Sequence, residues 1–323
     1  MTVYTSRRVL VSNDNRITLA KDEYDNYINI DGVDFILENL SERGSKGGNS
    51  NVFKIRVANE DEDYGGGSEF IIKISNIHLE IPYSHFNHNR QQRFRREIIA
   101  LRKAKKKGLS NVVKLIENGD IHIGNKTFPF YIMEKGNSDL TDYLSVRRTI
   151  QQKILLFQSI LIGIKQLHGI EIYHRDIKHD NIFMFGEECK IGDLGLMRFK
   201  NEDYLPLDNN QRLGAFGWES PEAMNKFLAG KTQNPEFTFD CRIDESSDIF
   251  QLGKLFWYIL QGNLPIGFLD QEDFKIEDSE LFDLLILLLQ HSKNSGQKTS
   301  RRPISIASVE TLIQPIAKKY GVS

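Results

Sequence analysis

The sequence predicts an α+β fold in two lobes, a small β-rich N-lobe followed by a larger α-helical C-lobe. Three observations predict it. The first third of the chain carries short β-rich runs separated by glycines and polar turns, whereas apolar residues after Gly136 recur at helical spacing. A chain of 323 residues is long enough for two lobes with a sizeable core. Hydrophobic and charged fractions of 40% and 27% are ordinary for a globular protein. The expected boundaries are an N-terminal extension over residues 1–33, the N-lobe over 34–134 and the C-lobe over 135–323, joined near 134–137.

In chain order, the every-other-residue spacing of Val9 and Val11, then of Ile17 and Leu19, suggests a small strand pair in the extension. Phe35-Ile36-Leu37, residues 52–57 and residues 70–74 read as strands. The second and third are joined by a polar loop over 59–68 that ends in three glycines. Residues 76–92 read as a loop before the next helix. A helix follows, with Phe94, Ile98 and Leu101 on one face. Two more strands fit 112–115 and 128–133. In the second lobe Ile154, Phe157, Leu161, Ile164 and Leu167 form one apolar stripe, ended by Gly169. Ile249, Leu252, Phe256 and Ile259 form another. Residues 281–289, the most apolar stretch, number nine, about half of the roughly 20 that a membrane-spanning helix needs. They read as a buried C-terminal helix.

Several function classes receive no support. A formal net charge of −2 gives no reason to expect nucleic acid or an anionic membrane as partner. Cys189 and Cys241 are too few for a disulfide framework and fit a reducing cytoplasm. Residues 1–20 lack an apolar core of signal-peptide length. The basic run 102–107 reads as a solvated helix end. His78, His85 and His88 lie in a polar segment without a nearby cysteine, which argues against a zinc site. The acidic run 60–63 lacks the ligand spacing of an EF-hand.

Chemistry concentrates in His174-Arg175-Asp176-Ile177-Lys178-His179-Asp180-Asn181. A carboxylate at Asp176 can orient a hydroxyl nucleophile. The ammonium of Lys178 can neutralise a phosphate, and the amide of Asn181 can hold a metal ion. The run resembles the catalytic loop H-R-D-x-K-x-x-N of the eukaryotic-type (Hanks-type) protein kinases, and the resemblance extends in family order from about Phe35 to Ile313. It implies a bilobal protein-kinase-like fold, ATP and Mg2+ as cofactors, and serine/threonine hydroxyls of a protein substrate as acceptors.

The resemblance also implies roles. Gly47 and Val52 match the second glycine and the valine of G-x-G-x-x-G-x-V, while Ser45 and Ser50 stand at the first and third glycines. Lys73 resembles the lysine of V-A-I-K, which pairs with ATP phosphates, and Glu97 is its carboxylate partner. Asp193-Leu194-Gly195 resembles D-F-G with Leu for Phe, so Asp193 and Asn181 would hold Mg2+. Adenine would meet the Glu134 carbonyl and the Gly136 N–H, with Met133 behind. Residues 214–222, ending in Ser220-Pro221-Glu222, look like the shelf that receives the peptide. Ala215 there replaces a threonine that usually bonds to the catalytic aspartate. Glu222 would pair with Arg302, and Asp248 would anchor the catalytic loop.

Two other functions fit parts of this pattern. A pseudokinase would bind ATP or a partner without chemistry, yet Lys73, Asp176, Asn181 and Asp193 are all present. A small-molecule kinase of the aminoglycoside-phosphotransferase type would typically lack Arg175, Lys178 and the peptide shelf. Between Gly195 and Ser220 there is no serine or threonine, and Tyr204 is the sole hydroxyl. Glu202, Asp203 and Asp208 offer permanent negative charge to Arg175. The expectation is a kinase that needs no activation-loop serine/threonine phosphorylation and is either constitutively competent or controlled elsewhere, residues 1–33 being one candidate, with phosphorylation of Tyr204 as the rival.

Overall fold

The computed structural model describes residues 2–5, 9–12, 16–40, 50–59, 69–202, 212–232, 240–291 and 301–322. Gly47, with Gly44, Ser45 and Gly48, lies outside them, as do most of the 59–68 loop and residues Asp203, Tyr204 and Asp208. The chain divides into two compact units. One comprises Met1–Lys106 and Val113–Lys135, the other Lys107–Val112 and Gly136–Ser323.

The first unit is built on strands β1 (Thr2–Thr5), β2 (Leu10–Val11), β3 (Ile17–Thr18), β4 (Tyr27–Ile30), β5 (Val33–Asn39), β6 (Ser50–Val57), β7 (Glu69–Ser75), β8 (Leu115–Ile123) and β9 (Lys126–Glu134). Their order β1-β4-β5-β6-β7-β9-β8 closes into a barrel. β1 pairs antiparallel with β4 and parallel with β8, so the expected N-terminal extension contributes two staves to this barrel. Alternation explains the closure. Phe53, Ile55 and Val57, then Phe70, Ile72 and Ile74, then Phe128, Phe130 and Ile132 turn one face of the sheet inward. Val3, Ile28 and Ile30 from the first 33 residues complete that core. β2 and β3 form the small pair suggested by the alternation of Val9 to Leu19.

Two expectations need correction here. Helix α1 runs His85–Lys107, so part of the predicted loop 76–92 is helical. Ser84 starts it: its hydroxyl accepts from the Asn87 N–H at 3.1 Å and its carbonyl from the His88 N–H at 2.9 Å. The first two turns are polar and carry no apolar period, which concealed the helix. The strand expected at 112–115 instead begins at Leu115 and continues to Ile123, with a bulge between Leu115 and Glu117. Val112 makes only an isolated parallel bridge to Ile191.

The second unit carries helices α2 (Leu140–Ser145), α3 (Ile150–Gly169), α4 (Pro221–Thr232), α5 (Glu245–Gln261), α6 (Ser279–Leu288) and α7 (Ile306–Lys319). Among them lie short strands β10 (Ser138–Asp139), β11 (Ile172–Tyr173), β12 (Ile182–Phe185), β13 (Glu188–Ile191) and β14 (Arg198–Phe199). β10, β12 and β13 form one small sheet, and β11 and β14 another. A capping box of Thr149 and Gln152 starts α3. The apolar stripes of α3 and α5 meet at Phe157 and Phe256, whose rings stack 3.9 Å apart. Gly169 is the last helical residue of α3 rather than its left-handed terminator; that conformation falls to Glu171, φ 60°. α6 is buried through Leu281, Phe282, Leu284, Leu285 and Leu288, but α7 follows it.

Candidate active site

In the first unit, β6, β7 and β9 bring Val52, Lys73 and Tyr131 into one cross-strand row. Side chains paired in this way share a face. This row alternates with the barrel-core residues and so lies on the outer face, where α1 meets Lys73 and Tyr131. Lys73 Nζ lies 3.0 Å from Glu97 Oε1 and 3.2 Å from Oε2. Glu97 is buried on α1 together with Phe94, Ile98 and Leu101. A buried carboxylate is tolerated only when it is paired, and Lys73 supplies the pairing. Glu134 closes β9; its carboxylate takes the Lys114 N–H at 2.7 Å.

In the second unit, Gly136 passes so close to β12 that a Cβ would stand 2.9 Å from the Met184 carbonyl oxygen. The catalytic-type loop after β11 is held from α5. Both oxygens of buried Asp248 accept backbone N–H groups, from His174 and Arg175, each at 2.8 Å. Gln251 accepts the Ile177 N–H at 3.0 Å and donates to the Arg175 carbonyl at 3.3 Å. Arg175 has φ 70°, a left-handed backbone that costs a non-glycine residue about 1–2 kcal/mol. The α5 bonds on both sides of it offset that strain.

These anchors present Asp176, whose carboxylate receives three donors. Lys178 Nζ lies 3.1 Å from Oδ2, the Asn181 amide also donates to Oδ2 at 3.1 Å, and the Ala215 N–H donates to Oδ1 at 3.2 Å. A carboxylate has about four acceptor sites, so one remains for an incoming hydroxyl. Asn181 also donates to the Asp176 carbonyl at 2.7 Å. Its NH2 group is thereby fixed, and among the described residues nothing donates to its Oδ1. Asp193 follows β13, with φ 53°, and the preceding Gly192 N–H bonds the Asn181 carbonyl at 2.9 Å. An amide oxygen and a carboxylate on tethered segments are the hard oxygen donors that Mg2+ takes, so the residues present fit that ion. Leu194, beside Asp193, is fully buried.

The shelf segment is braced to the same helix. Gly214 has φ 95° and Gly217 φ 83°. The Gly217 N–H bonds Glu219 at 2.7 Å, and its carbonyl takes Lys254 Nζ at 2.7 Å. Burial pushes the Lys254 ammonium below its usual pKa. Behind the shelf, buried Arg302 donates to Glu222 and, at 3.0 Å, to Ser246 Oγ, while Ser247 donates to Glu222 at 3.1 Å.

A model of the protein kinase domain matches residues 47–314, most of the chain. The chain belongs to the protein kinase family. Its curated relatives include the serine/threonine-protein kinase/endoribonuclease IRE1 of Oryza sativa subsp. japonica, 29% identical over 42% of this chain and 14% of the relative. The dual specificity protein kinase TTK of Mus musculus is 25% identical over 70% of this chain and 24% of the relative. The serine/threonine-protein kinase MPS1 of Encephalitozoon cuniculi is 24% identical over 50% and 25%. The chain thus spans a quarter or less of the length of these relatives. Among its described residues no helix is long and apolar enough to cross a membrane.

Within this kinase chain, sequence reasoning missed the residues that act through register or through the backbone. Tyr131 was read only as part of a strand, yet its hydroxyl bonds Glu97 at 2.8 Å. Gln251 on α5 and His168 near the end of α3 belong to no sequence motif. The Ala215 position was read by its missing hydroxyl, whereas its N–H makes the bond to Asp176. The segment histidines have other company: His78 meets the Phe128 ring, and His85 and His88 meet that of Tyr83.

Proposed function

We propose that this chain transfers the γ-phosphoryl group of ATP, with Mg2+, to serine or threonine hydroxyls of protein substrates. The observation that carries the reading is Asp176, held by Lys178, Asn181 and the Ala215 N–H with one acceptor site left over. When bound, ATP supplies the phosphoryl group and Mg2+ neutralises its charge. Asp176 would orient the acceptor hydroxyl and take its proton. Lys178 would offset charge on the transferred group, and Asn181 Oδ1 with Asp193 would hold the ion. Lys73, aligned by Glu97, would engage the remaining phosphates. Lys178 and the serine/threonine names of two relatives support the choice of acceptor. A cytoplasmic setting belongs to the same reading, supported by two unbridged thiols, Cys189 and Cys241.

The test is incubation of the purified chain with labelled ATP and Mg2+, a generic protein acceptor and a small-molecule panel. Transfer to protein serine or threonine, abolished by chelation of Mg2+ and by Asp193→Ala, is the expected result. Asp176→Asn should retain ATP binding and lose about 10²- to 10⁴-fold in turnover, the usual worth of a positioned acid–base group. Label on small molecules alone would make the chain a small-molecule kinase. ATP binding without transfer would make it a pseudokinase.

A further inference from the structure

The Lys73–Glu97 pair has a third member. Tyr131 on β9 stands directly opposite Lys73 on β7 and is almost fully buried. Its hydroxyl donates to Glu97 Oε1 at 2.8 Å, the same oxygen that Lys73 Nζ reaches at 3.0 Å. Its ring packs on that of Phe94, centroids 5.6 Å apart, one turn before Glu97 on α1. The tyrosine therefore touches α1 at two points along the same helix face. We propose that Tyr131 is a positioning residue that holds Glu97, and with it α1, in the orientation that aligns Lys73; the inference rests on the phosphotransfer reading above.

The physical need is specific. A lysine that serves ATP phosphates divides its three N–H donors between them and its carboxylate. A buried carboxylate left with a weakened partner is costly, and the cheapest relief is for α1 to move away. The tyrosine hydroxyl supplies a donor that no phosphate competes for. It is neutral, so it steadies Glu97 without cancelling the charge that Lys73 needs. The cross-strand register fixes it beside Lys73 whatever α1 does.

Tyr131→Phe in the full chain removes only the hydroxyl and leaves the ring packing intact. The expected outcome is a fall of about 10- to 100-fold in kcat/KM for ATP, the range for a lost hydrogen bond to a charged group. Amide hydrogen exchange over residues 94–104 should quicken, while exchange over the helices of the second unit stays unchanged. In a Glu97→Gln background the same substitution should cost no further kcat/KM, because its effect passes through the Glu97 carboxylate. Unchanged exchange, unchanged kcat/KM in an active protein, or a full additional loss in the Glu97→Gln background would each overturn the proposal. If the wild-type chain transfers no phosphate, the phosphotransfer reading falls by itself. Exchange over residues 94–104 then decides alone whether Tyr131 holds the helix.

Discussion

Ala215 holds the Asp176 carboxylate with its backbone, so the residue that makes the contact possible is its neighbour. Gly214 adopts φ 95°, a conformation that side-chain-bearing residues avoid, and this turn aims the Ala215 N–H at Asp176 Oδ1. A Cβ on Gly214 would meet the Arg175 carbonyl and the Gln251 amide at 3.6 Å, so space is not the obstacle; the backbone is. Gly214→Ala should therefore fold, relax the turn by roughly 1–2 kcal/mol of left-handed strain, and draw the N–H away. A drop in kcat of about tenfold is expected, with ATP binding unchanged, from loss of a bond to a charged group. Steady-state kinetics with a melting curve would check it, and unaltered kcat would show that the bond is idle. At this scale the sequence revealed Asp176, Lys178, Asn181 and Asp193 because their chemistry lies in side chains at fixed spacing. Lys73 and Glu97 were legible as a pair of opposite charges on a strand and the next helix. The Ala215 contact was not legible, because an N–H belongs to every residue except proline. Nor was the Tyr131 contact, because a cross-strand partner exists only once register is set.

Elements carried the site to different degrees. Helices α3 and α5 were legible from long apolar stripes, but the polar link between them was not. His168, near the end of α3, lies 2.8 Å from Asp248 and 3.3 Å from Glu245, both in the first turn of α5. Burial opposes its charge, but the two carboxylates outweigh burial and raise its pKa from 6.5 to about 9. His168 in turn holds Asp248 and Glu245 below their usual values, again against burial. A group whose folded pKa is raised stabilises fully below its unfolded pKa and loses that contribution as pH rises through the folded value. Stability of this unit should thus fall by up to a few kcal/mol between about pH 6.5 and 9. His168→Gln should flatten the decline, as read by denaturant unfolding across that range; an equal slope in both proteins would refute the link. On the other side of the chain, the N-terminal strands show how topology hides from local pattern. Residues 27–30 alternate as β4, with Ile28 and Ile30 inward, but nothing local says that β1 will run parallel to β8, far along the chain. The burial of Val3, Ile28 and Ile30 in the barrel core shows that residues 1–33 help to build the first unit.

At the scale of the whole molecule, each unit holds its own part of the machinery in a joined state. In the first, Lys73 and Glu97 are already paired and Tyr131 supports them. In the second, Asp176 already has its donors, and the α5 bonds from Asp248 and Gln251 hold the loop around it. None of these contacts involves a serine or threonine that a phosphate would have to modify. Phosphorylation activates by adding charge and acceptor oxygens that draw an arginine and order a loop. Between Gly195 and Ser220 the chain offers no serine or threonine to receive it, whereas Glu202, Asp203 and Asp208 bring carboxylates of permanent charge. Activity should therefore survive a broad phosphatase: the treated protein should keep the kcat and KM of the untreated one, and Tyr204→Phe should match both. Loss of most activity after phosphatase would mean that a modified residue supplies what the carboxylates do not. Loss in Tyr204→Phe alone would assign that residue to Tyr204. Full activity in both would leave the constitutive arrangement, with Tyr131 and Asp248 in place of an added phosphate, as the source of competence.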